Sequence, residues 1–305
     1  NFKTGENINN APIRAAQIEF TNISNLSNTS LIKAISGIDI NDAKNLMNHE
    51  TGSIEAATLD IKKIQNLTND GIIVAQNHFN LTNAAILSNH KTGKIQAKSI
   101  TIDTAADILP ILQTTFNNEG SVIAEENFVL NHIVKLENFV EAIIQASILD
   151  IRKIEDVVNN GEIIVENSFD LYNPNNLRNL NAGKIQAKSF TIDTPKNILP
   201  IFQTTFNNKG SIVAIEKFTL NNIVKFENET GAKFTSTILD ILKIEDVINN
   251  GYIFATHQLF LANPKSIHNM KSGTINTALL TIAPQKEIEP LFKTFIKIYG
   301  KIFAT

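Results

Sequence analysis

Carboxylates are the first residues in this chain that could do chemistry. Asp60, Asp150 and Asp240 each stand in an LDI segment, and Asp103 and Asp193 each in a TIDT segment, with successive members 90 residues apart. Two carboxylates can share acid and base roles on a glycosidic bond when held roughly 5 to 10 Å apart, so what matters is where the fold puts them. Glu155-Asp156 and Glu245-Asp246 are adjacent acids able to hold a cation weakly, but neither a GGxGxD pattern nor an EF-hand loop accompanies them, and they read as exposed turn acids. The six histidines, His49, His78, His90, His132, His257 and His268, are expected at unrelated phases, building no column and no HExxH pair. GxSxG, P-loop and GxGxxG patterns are absent.

Composition narrows the classes further. The chain has 305 residues and no cysteine, so disulfides and thiolate metal sites are excluded. A net charge of -3 gives no electrostatic footprint for nucleic acid, which needs clustered Lys and Arg to neutralise phosphates. Lys94 and Lys98 recur as Lys184 and Lys188, but acids in the interposed segments make them solubilising edge charges. No run of about 18 apolar residues is available for a membrane-spanning helix. No catalytic, cofactor or metal site is expected from these residues.

Whatever positions these side chains is repetitive. GKIQAKS occurs at 93 to 99 and again at 183 to 189, ILPILQTTFNN at 108 to 118 returns as ILPIFQTTFNN at 198 to 208, and ILDIRKIEDVVNNG at 148 to 161 returns as ILDILKIEDVINNG. The units run about 1–92, 93–182, 183–272 and a partial 273–305, within one solenoid domain over 1–305. Inside them a small residue is followed two and four positions later by apolar or small ones. Gly52, Gly71, Gly93, Gly120, Gly161, Gly183, Gly210, Gly251, Gly273 and Gly300 occupy this slot, and Ser30, Ala142 and Ala232 replace it elsewhere. The slots are spaced by 22, 19, 22 and 27 residues in a cycle of 90.

Local periodicity decides the fold. After the first alternating pair comes a second, such as Ile100 and Ile102 or Phe79 and Leu81, and then a third apolar pair, such as Ile64 and Leu67. A period of two puts the first two pairs on one face of short strands, whereas a helix needs spacings of three and four, which those segments lack. Three short strands per coil predict an all-β, parallel β-helix of about 13 coils of 19 to 27 residues. At about 4.8 Å per coil this is a rod on the order of 60 Å long. Ile54, Ile73, Ile95, Val122, Ile144, Ile163, Ile185, Ile212, Phe234, Ile253 and Ile275 should then form one core column. The slot glycines should sit at corners that need positive φ or close backbone approach, and Asn117-Asn118, Asn159-Asn160, Asn207-Asn208 and Asn249-Asn250 suit the same corners and inter-coil side-chain ladders. Pro110, Pro200 and Pro290, in 108–116, 198–206 and 288–296, cannot donate to a ladder, so those segments are expected to bulge or form a helical turn. Asp60, Asp150 and Asp240 fall four coils apart, roughly 19 Å, too far to share a proton.

The grammar of NDGIIVAQNHFNL (69 to 81), NEGSVIAEENFVL (118 to 130) and NNGEIIVENSFDL (159 to 171) resembles the repeats of filamentous haemagglutinin and haemolysin-type exoproteins, including the sticks of contact-dependent inhibition proteins. Asn173-Pro174-Asn175 is similar to a motif of the secretion domain of two-partner-secreted proteins, but lies mid-chain and reads as a loop. The resemblance implies a right-handed coil, export through an outer-membrane translocator, an extracellular or cell-surface location, and attachment to a surface receptor or glycan. The chain, which opens on Asn1 and stops within the pattern at Ile302-Phe303-Ala304-Thr305, is expected to be a fragment of a larger secreted protein. The functions to be separated are a structural or adhesive rod, a self-associating fibre subunit stacked end to end, and a carbohydrate-active β-helix enzyme. The enzyme would need acids or bases in adjacent coils, and none are expected.

Overall fold

The computed structural model describes residues 2–3, 6–104, 114–194, 204–262, 264–283 and 295–304. Pro110, Pro200, Pro290 and Asn263 lie outside the described residues, so the expected bulges at the three prolines do too. The chain divides into two compact units, Asn1–Ile151 and Arg152–Thr305. Each is a parallel β-solenoid, and together they hold about 12 coils. Among the described residues there is no helix.

One coil shows how the sequence makes this shape. In Leu31–Asn48 the buried positions are Ile32 and Ala34, then Ile38 and Ile40, then Ala43, Leu46 and Asn48, with every intervening side chain at least partly in water. The apolar residues thus mark three short stretches of alternation, and the chain bends between them. At the first bend the pairing slips register, as between Ala56 and Thr58 against the next coil. The second bend is a left-handed residue: Asn22, Asp42, Lys63, Asn83 and His132 in the first unit, and Lys153, Asn173, Asn222 and Lys243 in the second, all with φ between 51° and 58°. A left-handed Cβ crowds the following carbonyl oxygen, which is why Asn and Asp recur there and why the lysines are costly.

Successive coils pair in parallel and in register. Ile54, Ile73, Ile95 and Val122 stand one above another in the first unit, as do Ile163, Ile185, Ile212, Phe234, Ile253 and Ile275 in the second. All of these, with Ile144, are at most 4% exposed. In the second column Phe190 and Phe218 have ring centroids 4.7 Å apart, and Phe218 reaches Phe234 of the first column at 4.6 Å. Edge-to-face packing of this kind adds to area burial because the ring edge is positive and its face negative. The second column opens at Leu280, half-buried, and the adjoining one at Ile282, which is 40% exposed.

The third corner holds a buried polar ladder. In the first unit Asn9, Asn28, Asn48, Asn69, Asn89, Asn118 and Asn138 each donate from Nδ2 to Oδ1 of the next coil's asparagine, over 2.7 to 2.9 Å, up to Asn138. Asn159, Asn179, Asn208, Asn228, Asn249 and Asn269 repeat this in the second unit. The ladder satisfies side-chain amides that the core would otherwise leave without partners. Asn269 ends it, since Ile298 stands in register where the next asparagine would be; its Nδ2 keeps a bond to the Lys301 carbonyl, 3.1 Å, equivalent to that of Asn249 to Thr274.

The same ladder explains the slot glycines, which are buried at 52, 71, 93, 120, 161, 183, 210, 251 and 273 and half-buried at 300. At Gly93 an added Cβ would lie under 3.0 Å from the Asn69 carbonyl oxygen and from Asn89 Oδ1, so space and not a left-handed backbone selects glycine. The coils with Ala142 and Ala232 in the slot differ in backbone: the preceding Glu141 and Gly231 have φ of 69° and 84°, while the slot amide closes onto the Phe139 and Glu229 carbonyls as Gly93 closes onto His90.

Candidate functional site

Outward-facing side chains are placed by the same register, so any site on this scaffold is a patch of columns. Two patches in the first unit gather chemistry. The first lies on the middle strand, where the recurring (Ile/Leu)-(Asp/Glu)-(Ile/Phe) triplets at 18–20, 38–40 and 59–61 bury their flanking residues and turn the acid outward. Register then stacks Glu19 on Asp39 and Asp39 on Asp60. Adjacent coils are about 4.8 Å apart, so the three acids form one outward column.

This corrects the expectation that no acids occupy adjacent coils. Asp60, Asp150 and Asp240 recur every 90 residues, whereas the acids one coil from Asp60 stand in coils of different sequence. Each acid has a neutral partner: Gln17 Nε2 donates to Asp39 at 3.2 Å, Thr21 Oγ1 to Glu19 at 3.0 Å, and Asn80 Nδ2 to Asp60 at 2.7 Å. Gln17, Glu19, Asp39, Asp60 and Lys62 line a cleft of about 230 Å³. A second groove of about 500 Å³ follows the left-handed corner past Asn22, Asp42, Lys44 and Lys63.

The second patch lies beside the asparagine ladder. His49, Asp70 and His90 directly follow Asn48, Asn69 and Asn89, so they share one phase of successive coils, contrary to the expectation of unrelated phases. His90 Nδ1 lies 2.7 Å from Asp70 Oδ1, and His49 Nε2 lies 2.8 Å from Ser27 Oγ. His132, at a left-handed corner, meets Asp103 at 3.1 Å. His78 and His257 are exposed. Among the described residues no three His, Asp or Glu side chains converge to hold a metal ion.

Several of the remaining charges form surface pairs between neighbouring coils. Lys98 meets Glu126 at 3.2 Å, Lys184 meets Glu162 at 2.6 Å and Lys188 meets Glu216 at 3.3 Å, as expected for solubilising edge charges. Asp240 pairs with Lys217 at 2.7 Å. At Glu55 a hydrogen bond from Lys33 outweighs burial and holds the carboxyl below its ordinary value of 4.5. Comparison with protein-family models, with curated proteins and with solved structures finds no match.

Proposed function

We propose that this chain is a structural and adhesive rod from a secreted or surface-exposed bacterial exoprotein, presenting its faces and distal neighbours to a cell-surface receptor or glycan. The observation that carries this reading is the in-register repetition itself. Coil after coil keeps the same core, the same asparagine ladder and the same outward columns, which suits a scaffold that sets distances. The resemblance to haemagglutinin-type repeats supports export through an outer-membrane translocator. The test is to display the chain on a non-adherent bacterium and score attachment to host cells, beside a version from which one 90-residue unit, 93–182, has been deleted. Attachment that falls in the shortened form supports the reading; a displayed chain that confers none refutes it.

A catalytic reading has one observation in its favour, the stack of Glu19, Asp39 and Asp60. The rod reading assigns these acids to solvation, with amide and hydroxyl partners holding them in place. Incubation with β-linked and uronate-containing polysaccharides should release no new reducing ends. Release that disappears in Asp39→Asn would replace the rod reading with the enzyme.

A further inference from the structure

The second unit carries a patch of rings and lysines over four successive coils of the slot face. Two outward columns run side by side there. The inner column reads Thr235, Phe254, Asn276, Phe303 and the flanking one Lys233, Tyr252, Thr274, Lys301, in register coil by coil. Tyr252 and Phe303 are 38% and 49% exposed, and the Tyr252 and Phe254 rings lie 6.1 Å apart as a stacked pair. Apolar rings held in water by a rigid sheet are costly to leave uncovered.

Charge and spacing identify what would cover them. Neither column holds an acid between Lys233 and Phe303, and neither Lys233 nor Lys301 has a carboxylate at ion-pair distance among the described residues, whereas Lys184, Lys188 and Lys217 in the same unit are all paired. The patch is therefore cationic and asks for an anionic partner. Phe254 and Phe303 are two coils apart, about 9.6 Å. That matches the disaccharide repeat of an extended β-1,4-linked pyranose chain, in which every second ring presents the same face and turns its substituent to the same side.

We propose that this patch binds a linear β-1,4-linked uronate polysaccharide lying along the coil axis. Two alternate rings press their C–H faces on Phe254 and Phe303, the ring between them meets the Asn276 amide, the flanking carboxylate of the ring on Phe303 meets Lys301, and Lys233 reaches across one coil to that of the ring on Phe254. The site deepens the adhesive reading, and rests on it, by naming the surface the rod would grip.

The test is calorimetric titration of the full chain with a β-1,4-linked mannuronate oligosaccharide, beside a neutral β-1,4-glucan of equal length and a polyglutamate peptide of equal charge. Saturable binding to the uronate is expected, weakened about tenfold or more in the neutral glycan, in Phe254→Ala and in Lys233→Glu. The substituted side chains point outward, so an unchanged thermal midpoint shows that each variant is folded. Should one unfold, saturation-transfer NMR on the unsubstituted chain replaces it, with aromatic-to-sugar-ring transfer expected. Absence of uronate binding, unaltered affinity in Phe254→Ala, no transfer from aromatic protons, or equal affinity for polyglutamate would overturn the proposal. All of these are read on purified protein, so they leave the cell-attachment test of the rod reading separate.

Discussion

Asn69 gathers more of the molecule's logic than any aliphatic core residue. Its amide accepts from Asn48, donates to Asn89 Oδ1 at 2.8 Å, and also reaches the Gly71 carbonyl at 3.1 Å. Asn69→Ala leaves two neighbouring amides and a carbonyl short of partners in a dry corner, and should cost about 3 kcal/mol, read from the urea midpoint. Glycine at the adjoining slot is held by the same geometry. Gly93→Ala drives a methyl into the Asn69 carbonyl and the Asn89 side chain, so a loss of about 2 to 3 kcal/mol is expected. Gly37→Ala is the internal control, because its nearest neighbour would be the Thr58 carbonyl oxygen at 3.6 Å. There the smaller entropy of the unfolded chain should leave stability unchanged or raised by about 0.5 kcal/mol. Thermal midpoints moving in the same direction for both substitutions would contradict the steric account. At Glu55 the sign runs through protonation. The carboxyl is held below its ordinary value, chiefly by Lys33, so its contribution is present above pH 4.5 and fades as pH falls through the lowered value. Lys33→Met should move the Glu55 titration upward in carboxyl NMR, with little effect on stability at neutral pH because the pair is substantially exposed.

At the level of the strands, the left-handed corner is the element that composition conceals. Asn22 and Asn83 announce it, but Lys63, Lys153 and Lys243 occupy the same backbone conformation, and nothing in a lysine marks a positive φ. The strain should be relieved by Lys63→Asn, with a gain of about 0.5 to 1 kcal/mol in equilibrium unfolding, since asparagine tolerates this region; a loss would show that the lysine stem supports the coil by packing. What was legible, and what was not, follows from this contrast. Alternation in segments such as Ile54-Glu55-Ala56 exposed the strands, and the Gly slot exposed the coil length, because both are set by burial within one coil. The stack of Glu19, Asp39 and Asp60 depends on the register between coils of unequal length, which single-coil periodicity does not carry. The recurring (Ile/Leu)-(Asp/Glu)-(Ile/Phe) triplet was the available signal. Likewise His49 and His90 share a column only once Asn48 and Asn89 are recognised as the ladder that fixes the phase.

Over the whole molecule, stability accumulates by neighbours. Pairing partners in both units are about one coil away along the chain, for example Phe218 against Leu239 and Phe190, so energetic coupling should decay over a few coils instead of spanning the protein. Phe218→Ala tests this directly. The side chain is 0% exposed and packs against Phe190 at 4.7 Å and Phe234 at 4.6 Å, so the cavity should cost about 3 to 5 kcal/mol. In a globular core that loss would lower protection everywhere. In a stack it should be concentrated in the coils that touch the cavity. Native-state hydrogen exchange should therefore show faster exchange for amides within 184–249, while amides within 31–89 of the first unit keep their protection. Uniform loss of protection across both stretches would mean that the two units unfold as one cooperative body, and a scaffold of independently replaceable coils would no longer describe this chain.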